Sequence, residues 1–558
     1  MIKTLFSVVL IFITISVSAQ YYGWSKTIGG SDADTCTALA IDKQANLYAI
    51  GSFSGYGDFR NDTIIDKLIS NGKDDIFLQK RTKKGKYLWT KKIGGKGNDR
   101  PTSMIYYNGS LFISGTFEDT VDFGIQKIIP AGKKSIFLAK MDTAGKCIWV
   151  KTMGDILYSR SRGLTINKDG IYLSGEFSGK LEQLNDTNAM FIQKRDFDGN
   201  VNWTKTFGKK RSVVSNAITT DSLGNIYNVG GLFGTYVDLN PSPLKDTLLS
   251  STTYNSADIF IQKLNKNGEL IWVKKIGSTS NEEANTIVSK GNELYISGYF
   301  SLTVDFDPSS IGISNLVCKG GKDIFIGKYD LDGKLIWVKQ IGNTKEENAR
   351  QLEIDKYKNI YLVGTFNTSS GSNTDFLGLP LTTKGNNDVF CVKFDTQGKG
   401  ILVKQFSGSL SDYGTAIKAD TMKNIYISGS YSGNLNFEGL TKGYTSNGTS
   451  EIFIYKSLLT KDSDSLLNGG GSTGIIENSF NFKIYPNPVI NNLFVSFDQL
   501  LQNSTLSITS ITGQTIQTKE LSQGESNSII ETNELTQGIY FIRLNSGNTS
   551  YTYKLQKL

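Results

Sequence analysis

Short apolar runs separated by turn residues recur along most of the chain. Residues 258–264 (DIFIQKL) and 270–276 (LIWVKKI) each hold a run of β-branched and aromatic side chains, with Asn265–Gly268 between them. Such runs are too short for buried helices and predict strands that are covered on both faces. Glycine suits the end of the turn because its backbone adopts a positive φ without a Cβ clash. The stretch therefore predicts a β-hairpin.

This hairpin is half of a longer repeat. Nearly the same letters occupy residues 75–94 (DIFLQKRTKKGKYLWTKKIG) and 323–342 (DIFIGKYDLDGKLIWVKQIG). Two further apolar runs precede each hairpin, and the second of them reads IYxxGxF or close to it. Four strands thus recur roughly every sixty residues, and this period and strand count predict a β-propeller rather than a helical solenoid.

Aromatic positions mark seven copies of the repeat. The three marker positions are Tyr48, Phe112, Tyr172, Tyr227, Tyr295, Tyr361 and Tyr426 in the second strand; Phe77, Phe137, Phe191, Phe260, Phe325, Phe390 and Phe453 in the third; and Trp24, Trp89, Trp149, Trp203, Trp272, Trp337 and Leu402 in the fourth. Residues 21–30 lack a DIF strand before them, and residues 451–456 lack a tryptophan strand after them. We therefore predict an all-β protein with a seven-bladed β-propeller of four-stranded blades, in which the N-terminal strand closes blade seven.

The N-terminal segment predicts export. Residues 1–20 (MIKTLFSVVLIFITISVSAQ) begin with Lys3, continue with an apolar stretch and end in small residues. This pattern is typical of a secretory signal peptide, with cleavage expected between Ala19 and Gln20. No later segment is long and apolar enough to span a bilayer, so we expect no transmembrane anchor.

The composition changes after the last repeat. Residues 461–474 (KDSDSLLNGGGSTG) are polar and rich in Gly and Ser, as in a flexible linker. The segment that follows alternates apolar and polar residues between turn signals, which predicts a small, Ig-like antiparallel β-sandwich. The predicted organisation is a signal peptide (1–19), a propeller (20–460), a linker (461–481) and a sandwich (482–558).

The C-terminal segment carries several motifs in a fixed order. They are Tyr485, Pro486, Asn487 and Pro488, then Gly513, then Gly538 and Tyr540, and finally Lys554 and Lys557 near the end. Through these residues the segment resembles the C-terminal sorting domain of the type IX secretion system of Bacteroidetes. The resemblance implies the secretion machinery and its sortase as partners. It also implies passage across the outer membrane, removal of the tail, and a final location that is either secreted or attached to the cell surface.

The repeats resemble the SBBP family of β-propeller repeats. The resemblance lies in residues 224–231 (GNIYNVGG), 304–308 (VDFDP) and 322–337 (KDIFIGKYDLDGKLIW), and it covers most of residues 21–457. It implies the propeller fold. It implies no catalytic residue, because the family carries no agreed activity.

Composition narrows the possible chemistry. The sequence contains no histidine, which excludes Ser-His-Asp and Cys-His nucleophilic systems and the usual imidazole ligands of zinc. Cys36, Cys147, Cys318 and Cys391 are scattered without metal-binding spacing, and the sequence does not decide whether any of them pair. The net charge of +8 is small for 558 residues, which argues against nucleic acid as a partner. We expect no metal, cofactor or catalytic site.

The repeats differ most in the connections between their second and third strands. These connections are residues 54–74, 118–134, 233–257, 301–322, 367–387 and 432–450. Loops on a rigid scaffold concentrate binding residues, and aromatic side chains suit contacts with sugars or proteins. The candidate binding residues are Tyr56, Tyr236, Tyr254 and Tyr444. A DF-like motif in these connections (Phe59, Phe123, Phe306, Phe376 and Phe437) either joins the binding face or caps each blade.

The leading hypothesis for function is a secreted or cell-surface binding and adhesion scaffold with an unknown extracellular glycan or protein as its ligand. Two alternatives stay open. One is a histidine-free polysaccharide hydrolase or lyase that uses paired carboxylates, or tyrosine with arginine. The other is a structural component of the cell surface.

Overall fold

The chain divides into two compact units, residues 1–464 and 465–558. The structure, a computed structural model, describes residues 22–60, 67–154, 158–178, 189–208, 212–233, 237–241, 247–248, 256–309, 311–368, 373–437, 443–457, 482–485, 487–497, 503–510, 514–546 and 549–558. Every regular element in these ranges is a β-strand, and none is a helix. The prediction of an all-β protein is confirmed.

The described part of the first unit holds seven sets of four antiparallel strands, numbered here as sheets 1 to 7. Sheet 1 contains β2 (Thr35–Ile41), β3 (Leu47–Phe53), β6 (Asp75–Arg81) and β7 (Tyr87–Ile93); sheet 2 contains β8 (Arg100–Tyr107), β9 (Ser110–Phe117), β12 (Ser135–Asp142) and β13 (Cys147–Met153); sheet 3 contains β14 (Tyr158–Asn167), β15 (Gly170–Ser178), β16 (Ala189–Arg195) and β17 (Val201–Phe207); sheet 4 contains β18 (Val213–Thr220), β19 (Ile226–Leu232), β22 (Asp258–Leu264) and β23 (Leu270–Ile276). Sheet 5 contains β24 (Glu283–Lys290), β25 (Glu293–Phe300), β28 (Asp323–Asp330) and β29 (Leu335–Ile341); sheet 6 contains β30 (Glu347–Ile354), β31 (Ile360–Phe366), β34 (Asp388–Phe394) and β35 (Gly400–Gly408); sheet 7 contains β36 (Tyr413–Ala419), β37 (Ile425–Tyr431), β40 (Glu451–Ser457) and β1 (Tyr22–Gly30).

Small two-stranded ribbons lie between the second and third strands of six sheets in the described ranges. They are β4 (Tyr56–Asp58) with β5 (Lys67–Ile69), β10 (Val121–Asp122) with β11 (Lys127–Ile128), β20 (Val237–Asp238) with β21 (Thr247–Leu248), β26 (Thr303–Asp305) with β27 (Asn315–Val317), β32 (Thr374–Asp375) with β33 (Pro380–Leu381), and β38 (Asn434–Phe437) with β39 (Tyr444–Thr445). Several ribbons pair with the last strand of the preceding sheet: β4 pairs with β1, and β38 pairs with β35. The ribbons therefore link neighbouring sheets.

The first strands of the sheets form a closed series of contacts. In order along the chain, β2, β8, β14, β18, β24, β30 and β36 each contact the next, and β36 also contacts β2. The outer strand of sheet 7 comes from the start of the described chain, since β1 runs antiparallel to β40 with Lys26 opposite Ile454 and Ile28 opposite Ile452. This pairing removes the open edge that β40 would otherwise expose.

The hydrophobic core lies between neighbouring sheets. One buried cluster contains Tyr227 and Ile259 of sheet 4 together with Ile296 and Phe325 of sheet 5. Third strands such as β22 are buried along their whole length, whereas fourth strands such as β23 are partly exposed. A strand covered on both faces favours a continuous run of β-branched and aromatic residues, which explains the DIF motif.

The tryptophan of each fourth strand packs against a turn of the next sheet. A Cβ placed on Gly145, in the β12–β13 turn of sheet 2, would lie 2.8 Å from the indole ring of Trp89 in sheet 1. The same contact recurs between Trp24 and Gly85, Trp149 and Gly199, Trp203 and Gly268, Trp272 and Gly333, and Trp337 and Gly398. Gly145 also has a φ of 78°, so both the backbone and the neighbouring ring require glycine there.

Hydrogen bonds fix the indole rings to these turns. The Nε1 of Trp24 donates to the carbonyl of Lys83 at 3.1 Å, and that of Trp337 donates to Thr396 at 3.2 Å. Lysines of the third strands reach the same turns: Lys80 Nζ donates to the carbonyl of Thr143 at 3.1 Å while lying 4.9 Å from the ring centroid of Tyr48. We call this arrangement the tryptophan contact.

Leu402 replaces tryptophan in the fourth strand of sheet 6, and the fold explains why. Sheet 7 has no turn between its third and fourth strands, because β40 and β1 lie at opposite ends of the unit. A tryptophan at position 402 would have no glycine turn to pack against. The six tryptophans thus match the six turns that join a third strand to a fourth strand.

The second unit contains two antiparallel sheets with a shared core. One consists of β41 (Phe482–Tyr485), β42 (Asn492–Phe497) and β45 (Asn527–Glu531); the other consists of β44 (Thr515–Leu521), β43 (Ser504–Ser510), β46 (Gly538–Ser546) and β47 (Thr549–Lys557). Val495 and Ile530 of the first sheet and Ile508, Ile542 and Leu555 of the second belong to one buried cluster. Side chains along β46 alternate between buried and exposed, as expected of a strand with one face on the core.

We predict that Gly145→Ala destabilises the protein more than Gly124→Ala does. Both glycines have a φ near 80°, 78° and 83° respectively, so both variants incur a backbone cost of roughly 1–2 kcal/mol. Only the alanine at 145 would also displace the ring of Trp89, because nothing lies within 4 Å of a Cβ at Gly124. Chemical unfolding of the two variants measures the difference. Equal losses would show that the tryptophan contact does not stabilise the fold.

Candidate functional site

The structure separates the candidate tyrosines. Tyr56 is 47% exposed at the start of β4, and Lys67 Nζ lies 5.5 Å from its ring centroid. Tyr444 is half-buried: its hydroxyl shares a hydrogen bond with Ser25 Oγ at 2.8 Å, and its ring packs 5.6 Å from that of Phe437. Tyr236 and Tyr254 lie outside the described residues. The contacts of Tyr444 stabilise a ribbon, which leaves Tyr56 as the exposed candidate among the two described.

The phenylalanines of the DF-like motif belong to the core. Phe59, Phe123, Phe306, Phe376 and Phe437 are all buried, with at most 6% of any side chain exposed. Phe59 packs against Phe53 and Phe77 of its own sheet, each with ring centroids 5.0 Å apart. These phenylalanines therefore pack in the core, as the capping interpretation of the motif expects.

The acidic turn at Asp330 is held by hydrogen bonds of its own backbone, and the cysteines are mostly buried. Asp330 Oδ1 accepts hydrogen bonds from the backbone N–H groups of Asp332 and Lys334, both at 2.9 Å, so this carboxylate shapes its turn. All four cysteines are free, and burial raises the pKa of the Cys147 thiol to about 11. Across the described ranges, no group of three or more Cys, Asp or Glu side chains is arranged to hold a metal ion.

A backbone hydrogen bond recurs at the interfaces between sheets, on the side where the ribbons lie. The N–H of Asp99, just before β8, donates to the carbonyl of Asp74, just before β6, at 2.7 Å. The same bond joins Asp34 to Ser450, Ser159 to Lys134, Glu282 to Ala257, Glu347 to Lys322 and Asp412 to Asn387. Each bond brings two side chains together. One stands at the start of a sheet, and the other stands at the start of the third strand of the preceding sheet.

At five interfaces, both of these side chains are buried carboxyls. The pairs are Asp34 with Glu451, Asp99 with Asp75, Glu282 with Asp258, Glu347 with Asp323, and Asp412 with Asp388, and none of these residues is more than 4% exposed. The interface between sheets 2 and 3 has Ser159 with Ser135 instead. The corresponding residues between sheets 3 and 4 are Val213 and Ala189.

Burial raises the pKa of one carboxyl in each pair, Asp34, Asp99, Glu282, Glu347 or Asp412, well above its ordinary value. It raises the pKa of Asp99 to about 7 and that of Asp412 to about 8, and the neighbouring Asp75 and Asp388 charges push in the same direction. Asp99 Oδ1, Asp75 Oδ1, Asp412 Oδ2 and Asp388 Oδ1 are buried and have no hydrogen-bond partner in the described structure. A proton on one carboxyl turns it into a donor for the other, which explains how the pairs are tolerated.

The interface between sheets 3 and 4 has neither a carboxyl pair nor a serine pair, and a pocket opens at this place. The pocket measures about 420 Å³ and is lined by Tyr158, Glu176, Phe177, Ala189, Val213, Val214 and Phe233. Its floor is apolar: Phe177, Ala189 and Val213 are each 2% exposed. Glu176 forms an ion pair with Arg162 at 3.0 Å. We call this site the sheet 3–4 pocket.

Sequence reasoning missed the sheet 3–4 pocket. Phe233 begins one of the connections that the sequence singled out, but the other lining residues lie at the ends of repeated strands. The available signal was the substitution of Ala189 and Val213 at positions that carry Asp or Glu in most copies of the repeat.

Some of the sorting motifs of the second unit lie close together. Asn487 Oδ1 accepts a hydrogen bond from the N–H of Gln556 at 2.9 Å, and Val489 pairs with Lys557 in a parallel bridge. Tyr540 is buried, and its hydroxyl donates to the carbonyl of Thr536 at 2.9 Å. The Tyr485–Pro488 motif and the chain end thus meet at one edge of the sandwich. Gly538 begins β46, Tyr485 lies in β41 and Lys554 lies in β47.

Besides Tyr236 and Tyr254, four residues of the predicted sites lie outside the described ranges. They are Pro486 and Gly513 of the sorting motifs and Ala19 and Gln20 of the expected cleavage site.

Comparison with known families identifies the second unit. Residues 483–557 match the secretion system C-terminal sorting domain. The tail is similar to this sorting domain. It indicates export through the type IX system, to the cell surface or beyond it, and hence contact with the secretion machinery. The described part of the chain offers no helix with the length and apolarity needed to cross a bilayer.

The repeats have more distant relatives. The chain is 22% identical over 427 residues to an uncharacterised WD repeat-containing protein of Acanthamoeba polyphaga mimivirus, a match that covers 64% of this chain but 29% of the viral protein. This likeness suggests a propeller-like repeat protein.

Two solved structures show weak similarity. The hemagglutinin-neuraminidase ectodomain of parainfluenza virus 5 has 10% identity and a TM-score of 0.29, over 63% of this chain and 78% of that one. A Trypanosoma rangeli sialidase mutant that displays trans-sialidase activity has 8% identity and a TM-score of 0.31, over 96% and 89% of the two chains.

We predict that the stability of the first unit falls as the pH rises from 5 to 9. The pKa of Asp34, Glu347 and Asp412 is raised to about 8 in the folded protein, whereas carboxyls titrate near 4 in unfolded chains. The folded state therefore holds more protons between these values. Its stabilisation is complete below about pH 4 and is lost as the pH passes through 7 to 8. Thermal unfolding across this range measures the trend.

Asp99→Asn should make this dependence shallower, because an amide donates a hydrogen bond without needing a proton. Asp332→Asn is the matched control, since that carboxylate is 87% exposed. A wild-type melting temperature that stays constant from pH 5 to 9 would contradict protonated pairs.

Proposed function

We propose that the chain is an exported binding and adhesion scaffold whose first unit, residues 20–460, is a seven-bladed β-propeller closed by its N-terminal strand. The closed series of contacts among seven first strands supports this fold, as does the match of six tryptophans to six turns. In this proposal residues 1–19 are a signal peptide cleaved between Ala19 and Gln20. Residues 461–481 are a flexible linker, and residues 482–558 form an Ig-like sorting domain that a sortase removes.

The observation that carries a binding role is the sheet 3–4 pocket. Residues that repeat from sheet to sheet are those that the fold requires. A site whose residues depart from the repeat is therefore where a function is expected. The pocket combines aromatic side chains with the carboxylate of Glu176, which is paired with Arg162, and such a mixture of apolar and polar groups is typical of ligand sites. We propose an extracellular glycan or protein as the partner, bound on the side of the ring that carries the ribbons.

We do not favour the hydrolase or lyase, although the chain does contain paired carboxyls. Each pair is buried at an interface between sheets, and the arrangement recurs five times. A repeated, buried pair has the distribution of a structural element rather than that of a single catalytic centre.

Deleting residues 482–558 should leave the protein inside a host that has type IX secretion. The signal peptide would still direct the chain across the inner membrane, so we expect folded protein in the periplasm and little outside the cell. Immunoblots of the periplasmic and extracellular fractions, with the full chain as control, measure the distribution. Normal extracellular amounts of the truncated protein would contradict the role of the tail.

We predict that changes on the ribbon side of the ring reduce binding, whereas matched changes on the turn side do not. The ribbon-side variant replaces Ile69, Ile311 and Ile313 with Ser, and the turn-side control replaces Leu223, Tyr357 and Met422 with Ser. All six side chains are large and at least 49% exposed, so neither variant should unfold the ring.

Binding of the exported protein to extracellular polysaccharides and envelope proteins of the host provides the measurement. A loss confined to the turn-side control would place the binding face on the opposite side. Failure of the unmodified protein to bind either class of material would contradict the proposed function itself.

A further inference from the structure

We propose that the sheet 3–4 pocket is a subsite for a neutral sugar unit of an extracellular glycan. The inference rests on the binding function proposed above and specifies the ligand class of the same site. It is drawn from the side chains that line the pocket and from the charges that surround it.

The aromatic side chains suit one face of a sugar ring. Tyr158 and Phe233 line the pocket and are partly exposed, while Phe177 is buried beneath them. The axial C–H groups of a pyranose form an apolar patch that packs on an aromatic face, and the ring thereby loses contact with water at little cost. Ala189 and Val213 continue this apolar surface along the floor.

The polar pair suits the hydroxyl groups at the edge of the same ring. Glu176 Oε1 lies 3.0 Å from Arg162 Nη2, and the side chains of these residues are 19% and 27% exposed. Of these two residues Glu176 lines the pocket, so a sugar hydroxyl can donate to its carboxylate while Arg162 holds that carboxylate in place. Hydrogen bonds to charged groups are stronger than those between neutral groups, and they would orient the ring.

The charges around the pocket disfavour an ionic ligand. Arg162 already neutralises Glu176, so a cation finds no unpaired carboxylate among the lining residues. Lys134 Nζ lies 5.7 Å from the ring centroid of Tyr158 and repels a cation from that ring. An anion gains little either, because Arg162 is paired with Glu176 and Lys134 forms an ion pair with Glu118 at 3.0 Å. An uncharged polyhydroxyl ligand satisfies both the apolar and the polar groups.

The size of the pocket fits the same conclusion. About 420 Å³ falls within the range of small-molecule sites and is adequate for a sugar ring. The space lies where Ala189 and Val213 stand in place of the carboxyl pair of five other interfaces. A variant that restores such a pair should therefore close the pocket without disturbing the rest of the ring.

The test is saturation-transfer difference NMR and calorimetry of the exported full chain with cellotetraose, mannotetraose, galactotetraose and chitotetraose. We expect at least one of the four to bind, with saturation transferred to its C–H protons. Phe233→Ala should weaken that binding about tenfold or more, because it removes one aromatic wall. The double variant Ala189→Asp with Val213→Asp copies the carboxyl pair of five other interfaces, adds side-chain atoms at both positions and should also weaken binding. Tyr357→Ala removes an exposed aromatic on the turn side and should have no effect.

The outcomes separate this inference from the broader proposal. If none of the four saccharides binds, or if Phe233→Ala and Tyr357→Ala weaken binding equally, the pocket is not a neutral-sugar subsite. Binding of host envelope material that survives Phe233→Ala but is lost in the Ile69, Ile311 and Ile313 variant would overturn the pocket assignment and leave the binding scaffold intact. Circular dichroism and thermal unfolding of each variant confirm that a loss of binding does not reflect a loss of fold.

Discussion

The contact between a tryptophan and the glycine turn of the next sheet is the interaction on which the first unit depends. A four-stranded sheet of this kind cannot bury its own two faces, so it is stable only when both neighbours cover it. The indole ring covers the turn, and in three described cases its N–H binds a turn carbonyl; glycine leaves room for both. Each such contact joins residues far apart in sequence, between Trp24 and Gly85 in the first case. Because Trp24 belongs to sheet 7 and Gly85 to sheet 1, this contact closes the series.

On the ribbon side, the interfaces between sheets contain a different contact, a pair of polar side chains. Burying two carboxyl groups side by side is unfavourable in free energy, because two negative charges repel each other in a buried place. Their recurrence at five interfaces shows that the arrangement is compatible with a stable ring, and the Ser159 and Ser135 pair shows that smaller hydroxyls fill the same place. What the interface requires is a small polar pair beside a recurrent backbone hydrogen bond. A carboxyl satisfies this requirement only while it carries a proton, which ties the strength of the interface to pH.

The sequence predicted those features that short segments encode. The DIF and tryptophan strands, the Asn265–Gly268 turn and the sandwich at the C-terminus follow from local apolar patterns and turn residues, and the structure contains each of them. The ribbons were harder to foresee, since strands of two or three residues leave almost no periodic signal. Tyr444 illustrates a further limit. The sequence predicted a ring that could contact a ligand, but its hydroxyl is bound by Ser25, which lies 419 residues earlier in the chain. The sheet 3–4 pocket depends on pairs such as Ala189 and Val213, whose meaning emerges only when sheets are placed side by side.

Most interfaces carry both a tryptophan contact and a polar pair, and this explains how one interface could lose its polar pair. Between sheets 3 and 4 the turn side keeps its tryptophan contact, since Trp203 packs against Gly268 as its counterparts do elsewhere. The ends of the same sheets on the ribbon side carry Ala189 and Val213 in place of a polar pair, and the first strands β14 and β18 still lie against each other. The interface is thus held at the turns and along the first strands while its remaining edge opens into a pocket. A ring in which every interface depended on a single contact could not have opened one edge without losing the neighbouring sheet. The redundancy between the tryptophan contact and the polar pair is therefore what allows a repeated scaffold to carry an individual site.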